Sequence, residues 1–257
     1  MSITLNAAAD GLSATIQLGA ADKVSITNTG IPFMKNVLIN GEVTRINQRG
    51  VANWAAVANG AYGYDRWKKV DTSNMTQIVE AGNFRPSTLY TLSGVGVTTQ
   101  QITSPASGNW TLPNIPIAAT NVQCEEGPVA TPFELRPIGM ELSLCQRYYY
   151  RMVSDDTASG IGTGYSNSTS TLIAVVPFPV QMRVAPTALE QSGTAGHYAI
   201  AYRATTATCT AVPVLGGHTN KQVAAVVLST SPVLTLGEGG MAVFESVSGY
   251  LGWSAEL

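Results

Sequence analysis

Acid–base and nucleophilic chemistry has few places to sit in this chain. There are two histidines, His197 and His218, each among turn or strand residues. A Ser-His-Asp or Cys-His arrangement needs such a histidine to carry a proton, but no Gly-x-Ser-x-Gly elbow stands near either one. Paired carboxylates occur in "CEEG" (residues 124–127) and in "SDD" (residues 154–156). Glycoside cleavage needs two carboxyls at a set separation, and adjacent acids on polar loops read instead as solvated turn residues. "GIGTG" and "GVGV" lack the lysine or helix start that would cradle a phosphate. "ADG", "DDT" and "LGEGG" lack the alternating oxygen ligands of a calcium loop. Cys124, Cys145 and Cys209 are odd in number and widely spaced, so they fit neither a disulfide framework nor a zinc site. They read as reduced, mostly buried thiols in a protein made in a cytoplasm. The expectation is no enzyme, no metal and no cofactor.

Binding chemistry has more to work with. "NWAAV" and "ANGAYGYDRWKKV" place Trp54, Tyr62, Tyr64 and Trp67 close together, flanked by Asn, Asp and Arg. A flat apolar plate beside polar groups is what a sugar face needs. The same aromatics at strand starts also serve as core anchors, with Asp65 and Arg66 as a buried or half-buried ion pair near Trp67. "ELSLCQRYYYR" (residues 141–151) adds a second candidate. As a strand it puts Tyr149 and Arg151 on one face, open to a glycan or a neighbouring subunit, and Tyr148 with Tyr150 on the other.

The elements that must position these residues are short strands. The chain has 257 residues, 45% hydrophobic and only 12% charged, with a net charge of -2. That balance leaves no electrostatic footprint for nucleic acid or an anionic membrane. Apolar runs such as "IAVVPF" are far below the roughly 20 residues of a membrane span, so no membrane insertion is expected. The N-terminal stretch lacks the basic start and apolar run of a secretory signal.

Residues 1–30 alternate apolar and polar (Ile3, Leu5; Ala14, Ile16, Leu18; Val24, Ile26), which predicts three or four short strands that need a partner. Residues 31–137 carry turn signals at sandwich spacing, starting with a strand into the Asn40-Gly41 turn. Proline-rich "GPVATPFELRP" is then extended and stiff, a junction with Phe133 buried and Arg136 bonded to backbone or acid groups. In residues 138–257, Met140, Leu144 and Tyr148 mark one face of a short helix running to about Gln146, held through Leu142, Leu144, Cys145 and Tyr148. "RYYYRMV" and several further strands follow. The reading is an all-β chain: an N-terminal β segment, two β-sandwich or jelly-roll-like modules and one short helix at their junction.

"NVLINGEVTRINQRG", "GAYGYDRW", "VQCEEGPVATPFELRPIGMELSLCQRYYYR" and "VPFPVQMRVAPT" together resemble a family of tailed-bacteriophage tail-fibre and related virion proteins. The resemblance covers about residues 34–190. It implies a virion structural component, assembled in the host cytoplasm and usually homotrimeric. Residues 1–30 would then attach to other virion proteins, residues 31–137 would resemble a carbohydrate-binding module, and the outer domain would touch a host-surface glycan. A capsid decoration or head-fibre protein is the nearby alternative, and a glycan depolymerase is the alternative from another class. The family usually carries an aliphatic residue where this chain has Cys124, which implies a buried, non-catalytic thiol.

Overall fold

The computed structural model describes residues 35–257 in full and, before them, the backbone of three strands. The chain divides into two compact units, Met1–Asn36 and Val37–Leu257. In the first, β1 (Thr4–Ala7), β2 (Ser13–Gln17) and β3 (Lys23–Thr27) form an antiparallel sheet in the order β1-β2-β3. Its register sets Leu5 opposite Ile16 and Ile16 opposite Val24, so the expected alternation runs across all three strands. How this sheet attaches to anything lies outside the described residues.

The second unit is all-β apart from one α-helix and two single-turn 3-10 segments, Trp54–Ala56 and Ala195–His197. Its first half is built from short strands: β4 (Lys68–Lys69), β5 (Asn74–Thr76), β6 (Ile78–Val79), β7 (Leu89–Val95), β8 (Gln100–Thr103), β9 (Trp110–Thr111), β10 (Ile115–Pro116) and β11 (Thr120–Glu126). They pair as β11-β7-β8, β10-β5-β4 and β6-β9. One core fills the space between them, including Leu38, Trp54, Trp67, Met75, Tyr90, Leu92, Trp110 and Cys124. The strand expected before Asn40-Gly41 does not form over the described residues 35–39. That stretch lies along β11 through single bonds, Val37 N–H to the Cys124 carbonyl (2.9 Å) and Val122 N–H to the Gly41 carbonyl (2.8 Å).

The helix α1 spans Ile138–Gln146. It is shorter than the roughly 12–15 residues an isolated helix needs, so packing must hold it. Cys145 and Tyr148 supply that packing, in a small core with Ile39 and Ile46 that Leu142, Leu144 and Leu257 flank. The buried stripe differs from expectation by one position. Met140 is exposed, while Glu141 is buried. The Glu141 carboxylate accepts the Asn40 N–H and faces Arg136 NH1 at 3.4 Å, so a polar clamp sets the rotation of the helix.

β12 (Tyr149–Val153) follows at once, and the remaining strands build a sandwich: β13 (Gly160–Ser166), β14 (Thr171–Pro177), β15 (Glu190–Gln191), β16 (Tyr198–Tyr202), β17 (Thr205–Thr208), β18 (Ala211–Leu215), β19 (Val223–Ser229), β20 (Gly239–Phe244) and β21 (Tyr250–Ser254). A seven-stranded sheet, β17-β16-β20-β13-β14-β19-β18, packs against the sheet β12-β21-β15. Glycine lets β13 and β14 approach closely, since a Cβ at Gly164 would run into the Ile173 carbonyl. Residues 37–137 and 138–257 have separate main cores yet lie within one compact unit.

Candidate functional site

The residues that attracted attention in the sequence meet where the two cores adjoin. Asn40 starts the arrangement with φ 57, in the left-handed region that asparagine tolerates. Its amide donates to the carbonyls of Val43, Ile46 and Asp65 at 2.7–3.1 Å, and its own carbonyl accepts Trp67 Nε1–H at 2.8 Å. This pins the chain from Asn40 to Ile46 and places "INQRG" beside "YDRW".

Asp65 and Arg66 then point to different partners. The Asp65 carboxylate accepts the Gln48 backbone N–H and Nε2–H, each at 2.6 Å, and Gln48 Nε2 also donates to the Tyr149 carbonyl at 2.7 Å. Burial holds Asp65 above the ordinary carboxylate range, with the Gln48 bonds opposing. Arg66 pairs with Glu256, donates to the Ile78 carbonyl at 2.5 Å and lies 3.6 Å over the Tyr148 ring. The expected Asp65–Arg66 ion pair is therefore replaced by two separate contacts. Adjacent side chains diverge here because Arg66 takes φ 69.

The three tyrosines separate at a helix-to-strand corner, but Tyr148 precedes β12 and does not share the expected face with Tyr150. Tyr148 joins the small helix core and donates to Glu80 Oε2 at 2.7 Å, while Arg147 holds the same carboxylate at 3.1–3.3 Å. Tyr149 is fully buried under the Arg49 guanidinium and donates to Glu190 at 2.7 Å. Tyr150 faces the C-terminal core and stacks on Trp253 at 5.7 Å. Arg151 donates to the Arg49 carbonyl and lies 3.6 Å over the Tyr250 ring. Residues 255–257 are stitched in by Arg183, which donates to the Ala255 and Glu256 carbonyls at 2.7 Å, and by Tyr62, whose hydroxyl donates to the Leu257 carbonyl at 2.6 Å.

These contacts decide the fate of the glycan candidates. Trp67 and Tyr149 are at 0% exposure and Trp54 at 8%, so none offers an open ring face. Trp54 stacks on Tyr64 at 5.0 Å and lies so close to Gly63 that a Cβ there would run into its ring. Only Tyr62, Tyr64 and Arg151 keep part of their surface in solvent. At the proline-rich junction Phe133 is half-buried rather than buried, because buried polar groups anchor this strap. Glu125 takes the Thr131 N–H and hydroxyl at 2.6 and 2.7 Å, and Gln123 takes the Glu134 N–H at 2.8 Å. Arg136 is buried and donates to the Leu38 carbonyl at 2.9 Å, the bonding expected of it.

Some of the reactive groups are likewise engaged. Glu125 is buried on β11 against the strap while Glu126 is exposed and pairs with Arg85 at 3.0 Å, so the two adjacent acids face opposite ways. His197 Nδ1 lies 2.8 Å from Ser192 Oγ. The Tyr198 hydroxyl donates to the Tyr250 carbonyl, so it must accept from the Ser192 N–H and from Ser192 Oγ at 2.9 Å. That uses the serine proton, and His197 is left to donate. A general base would need the reverse. No group of three or more metal-ligating side chains occurs among the described residues.

Gln48, Arg49, Glu80, Arg183, Glu190 and Glu256 were not singled out by sequence. Gln48 and Arg49 stand inside "INQRG", a usable signal, but the lone acids carry no local pattern. Comparisons with protein-family models, curated proteins and solved structures find no match to this chain.

Proposed function

We propose that this chain is a structural component of a bacteriophage virion, a tail fibre or tail-associated adhesion protein that self-associates as a homotrimer. One observation carries the reading. The motifs behind the family resemblance contact one another: Gln48 bonds to Asp65 and to the Tyr149 carbonyl, Arg49 lies over the Tyr149 ring, Arg66 lies over the Tyr148 ring, and Glu141 holds Asn40 and Arg136. Such residues serve mechanical integrity. Residues 1–30, a separate small sheet, are the natural attachment to other virion proteins. Hydrolysis is not expected, a reading supported by the opposite facing of Glu125 and Glu126 and by the Ser192–His197 contact, in which the histidine donates.

The test is labelling of purified particles with antibody fragments against residues 37–257, read by cryo-electron microscopy. Label on the tail is the expected result. Label on the capsid would assign the decoration or head-fibre role, and absence from particles would overturn the proposal. Shortening of a host polysaccharide that is abolished by Asp155→Asn would instead favour a depolymerase.

A further inference from the structure

The second compact unit begins at Val37, and the stretch Val37–Gly41 is held unlike any strand. It forms no regular ladder, yet separate pieces of chain bond its backbone. β11 takes the two ends. The Val37 N–H donates to the Cys124 carbonyl at 2.9 Å, and the Gly41 carbonyl accepts the Val122 N–H at 2.8 Å. Between them the buried amide of Gln77, the residue linking β5 to β6, stands in for a strand partner. Its oxygen accepts the Ile39 N–H and its nitrogen donates to the Ile39 carbonyl, both at 2.8 Å. Arg136 donates to the Leu38 carbonyl at 2.9 Å, Glu141 accepts the Asn40 N–H, and Trp67 Nε1–H donates to the Asn40 carbonyl at 2.8 Å. The side chains are divided too. Leu38 sits in the core with Trp67, and Ile39 sits in the helix core with Cys145. The chain then hooks back: the Val43 N–H closes a turn on the Asn40 carbonyl at 2.8 Å, and the Asn40 amide grips the carbonyls of Val43 and Ile46.

We propose that Val37–Gly41 is a load-bearing anchor, through which tension arriving along the chain from residues 1–36 is spread over the second unit. Residues 1–30 are read above as the attachment to other virion proteins, and the anchor rests on that reading, because only an attached chain is pulled from that end. A segment on a sheet edge has one partner strand and can be peeled from it bond by bond. Here residues 37, 39 and 41 bond to β11 and Gln77, while residues 38 and 40 bond to Arg136, Glu141 and Trp67, so no single element can let go and free the segment. The Arg136 and Glu141 bonds involve a charged group, and such bonds are roughly twice as strong as neutral ones. Leu38, Asn40 and Gln77 are at 0–1% exposure, so water cannot replace the bonds one at a time. They break only as the cores open. That raises the unfolding barrier, and the unfolding rate is what sets resistance to force. The Asn40 hook adds to it, since withdrawal strips a buried amide of its partners.

The test is single-molecule pulling of the full chain between a tag at Met1 and a handle on Leu236→Cys, a position 70% exposed between β19 and β20. The native thiols are all buried, so the handle attaches at one place. Residues 37–46 extend to about 35 Å when pulled straight. The expected record shows no separate step of that length before the second unit opens, and such a step would overturn the anchor. Gln77→Leu removes both bonds to Ile39 and should shorten the lifetime under constant force about tenfold or more. Handles on Val95→Cys and Leu236→Cys bypass residue 37, and pulled between them the same variant should lose about threefold or less. Equal shortening along both directions would overturn the inference, since Gln77 would then support the fold without bearing the load. Should Gln77→Leu fail to fold, the wild-type steps decide alone. Force records do not depend on where the chain sits in a particle, so they hold or fail apart from the particle labelling that tests the virion reading.

Discussion

The Arg49 guanidinium lies 3.5 Å over the centroid of the Tyr149 ring, and both residues hold the Glu190 carboxylate, at 3.1 and 2.7 Å. This contact joins the half of the unit that holds the Trp67 core to the half that holds the Trp253 core. A cation over a ring contributes about 0.5–1 kcal/mol when exposed and about 2 when desolvated. With Arg49 at 14% exposure, Arg49→Met should destabilise by about 1–2 kcal/mol in denaturant unfolding. A double-mutant cycle with Tyr149→Leu should return a coupling of about 1 kcal/mol. Zero coupling would mean that the stack contributes nothing.

Arg66 and Glu256 are almost wholly buried, at 1% and 5% exposure. Removing one partner of such a pair strands the other charge and costs about 3–5 kcal/mol. Glu256→Ala should show that loss. The double variant Arg66→Met with Glu256→Ala should lose less than the sum of the two singles, because no uncompensated charge remains. Strict additivity in urea melts would count against the pairing.

Arg136 should matter more than Phe133. Complete burial of Phe133 would make its truncation cost about 3–5 kcal/mol, but the ring is half-buried, so about 1–2 kcal/mol is expected. Arg136→Ala leaves buried Glu141 without its cation, at a cost of about 3–5 kcal/mol. Thermal unfolding of the two variants decides the order.

Asp65 and Glu80 should give the stability curve opposite slopes. Burial raises Asp65, so the folded state binds its proton more tightly than the unfolded chain does. Its contribution is greatest below the unfolded value of about 3.9 and falls as pH rises through the higher folded value. Burial also pushes Glu80 up, but the Tyr148 and Arg147 hydrogen bonds and the charges of Arg147 and Arg183 together carry it below its ordinary value. Its contribution is present above the unfolded value of about 4.3 and is lost as pH falls through the lowered folded value. Relative to wild type, Asp65→Asn should gain stability as pH rises across its window. Glu80→Gln should approach wild type only in acid. Parallel curves for all three proteins would remove both assignments.

The thiols should be silent in the native state. Burial pushes Cys124 and Cys209 up to about 12, and Cys145 well above its usual value. A disulfide-exchange reagent needs thiolate, so at mildly alkaline pH the native protein should not react. Denaturation should release all three. Prompt reaction of the native protein would show a local opening at one of the three.

By itself the sequence determined the local elements. Alternation along β7 states a strand whatever surrounds it, and prolines exclude a helix from residues 177–186. The helix bounds, Ile138 to Gln146, were legible because proline stands before them and aromatics that favour a pleated strand stand after. The thiols' burial followed from their lack of any pairing pattern. Tertiary structure decided everything that depends on a distant partner. Arg66 meets Glu256 and Arg147 meets Glu80, 190 and 67 positions away, and no local period encodes such a choice. Helix rotation was missed by one position, from Met140 to Glu141, because a charged clamp with Arg136 outweighed the apolar pattern. By residue type Trp67 and Tyr149 fit either a sugar platform or a core. An aromatic ring buries favourably against either, and only the packing around it fixes which surface it meets.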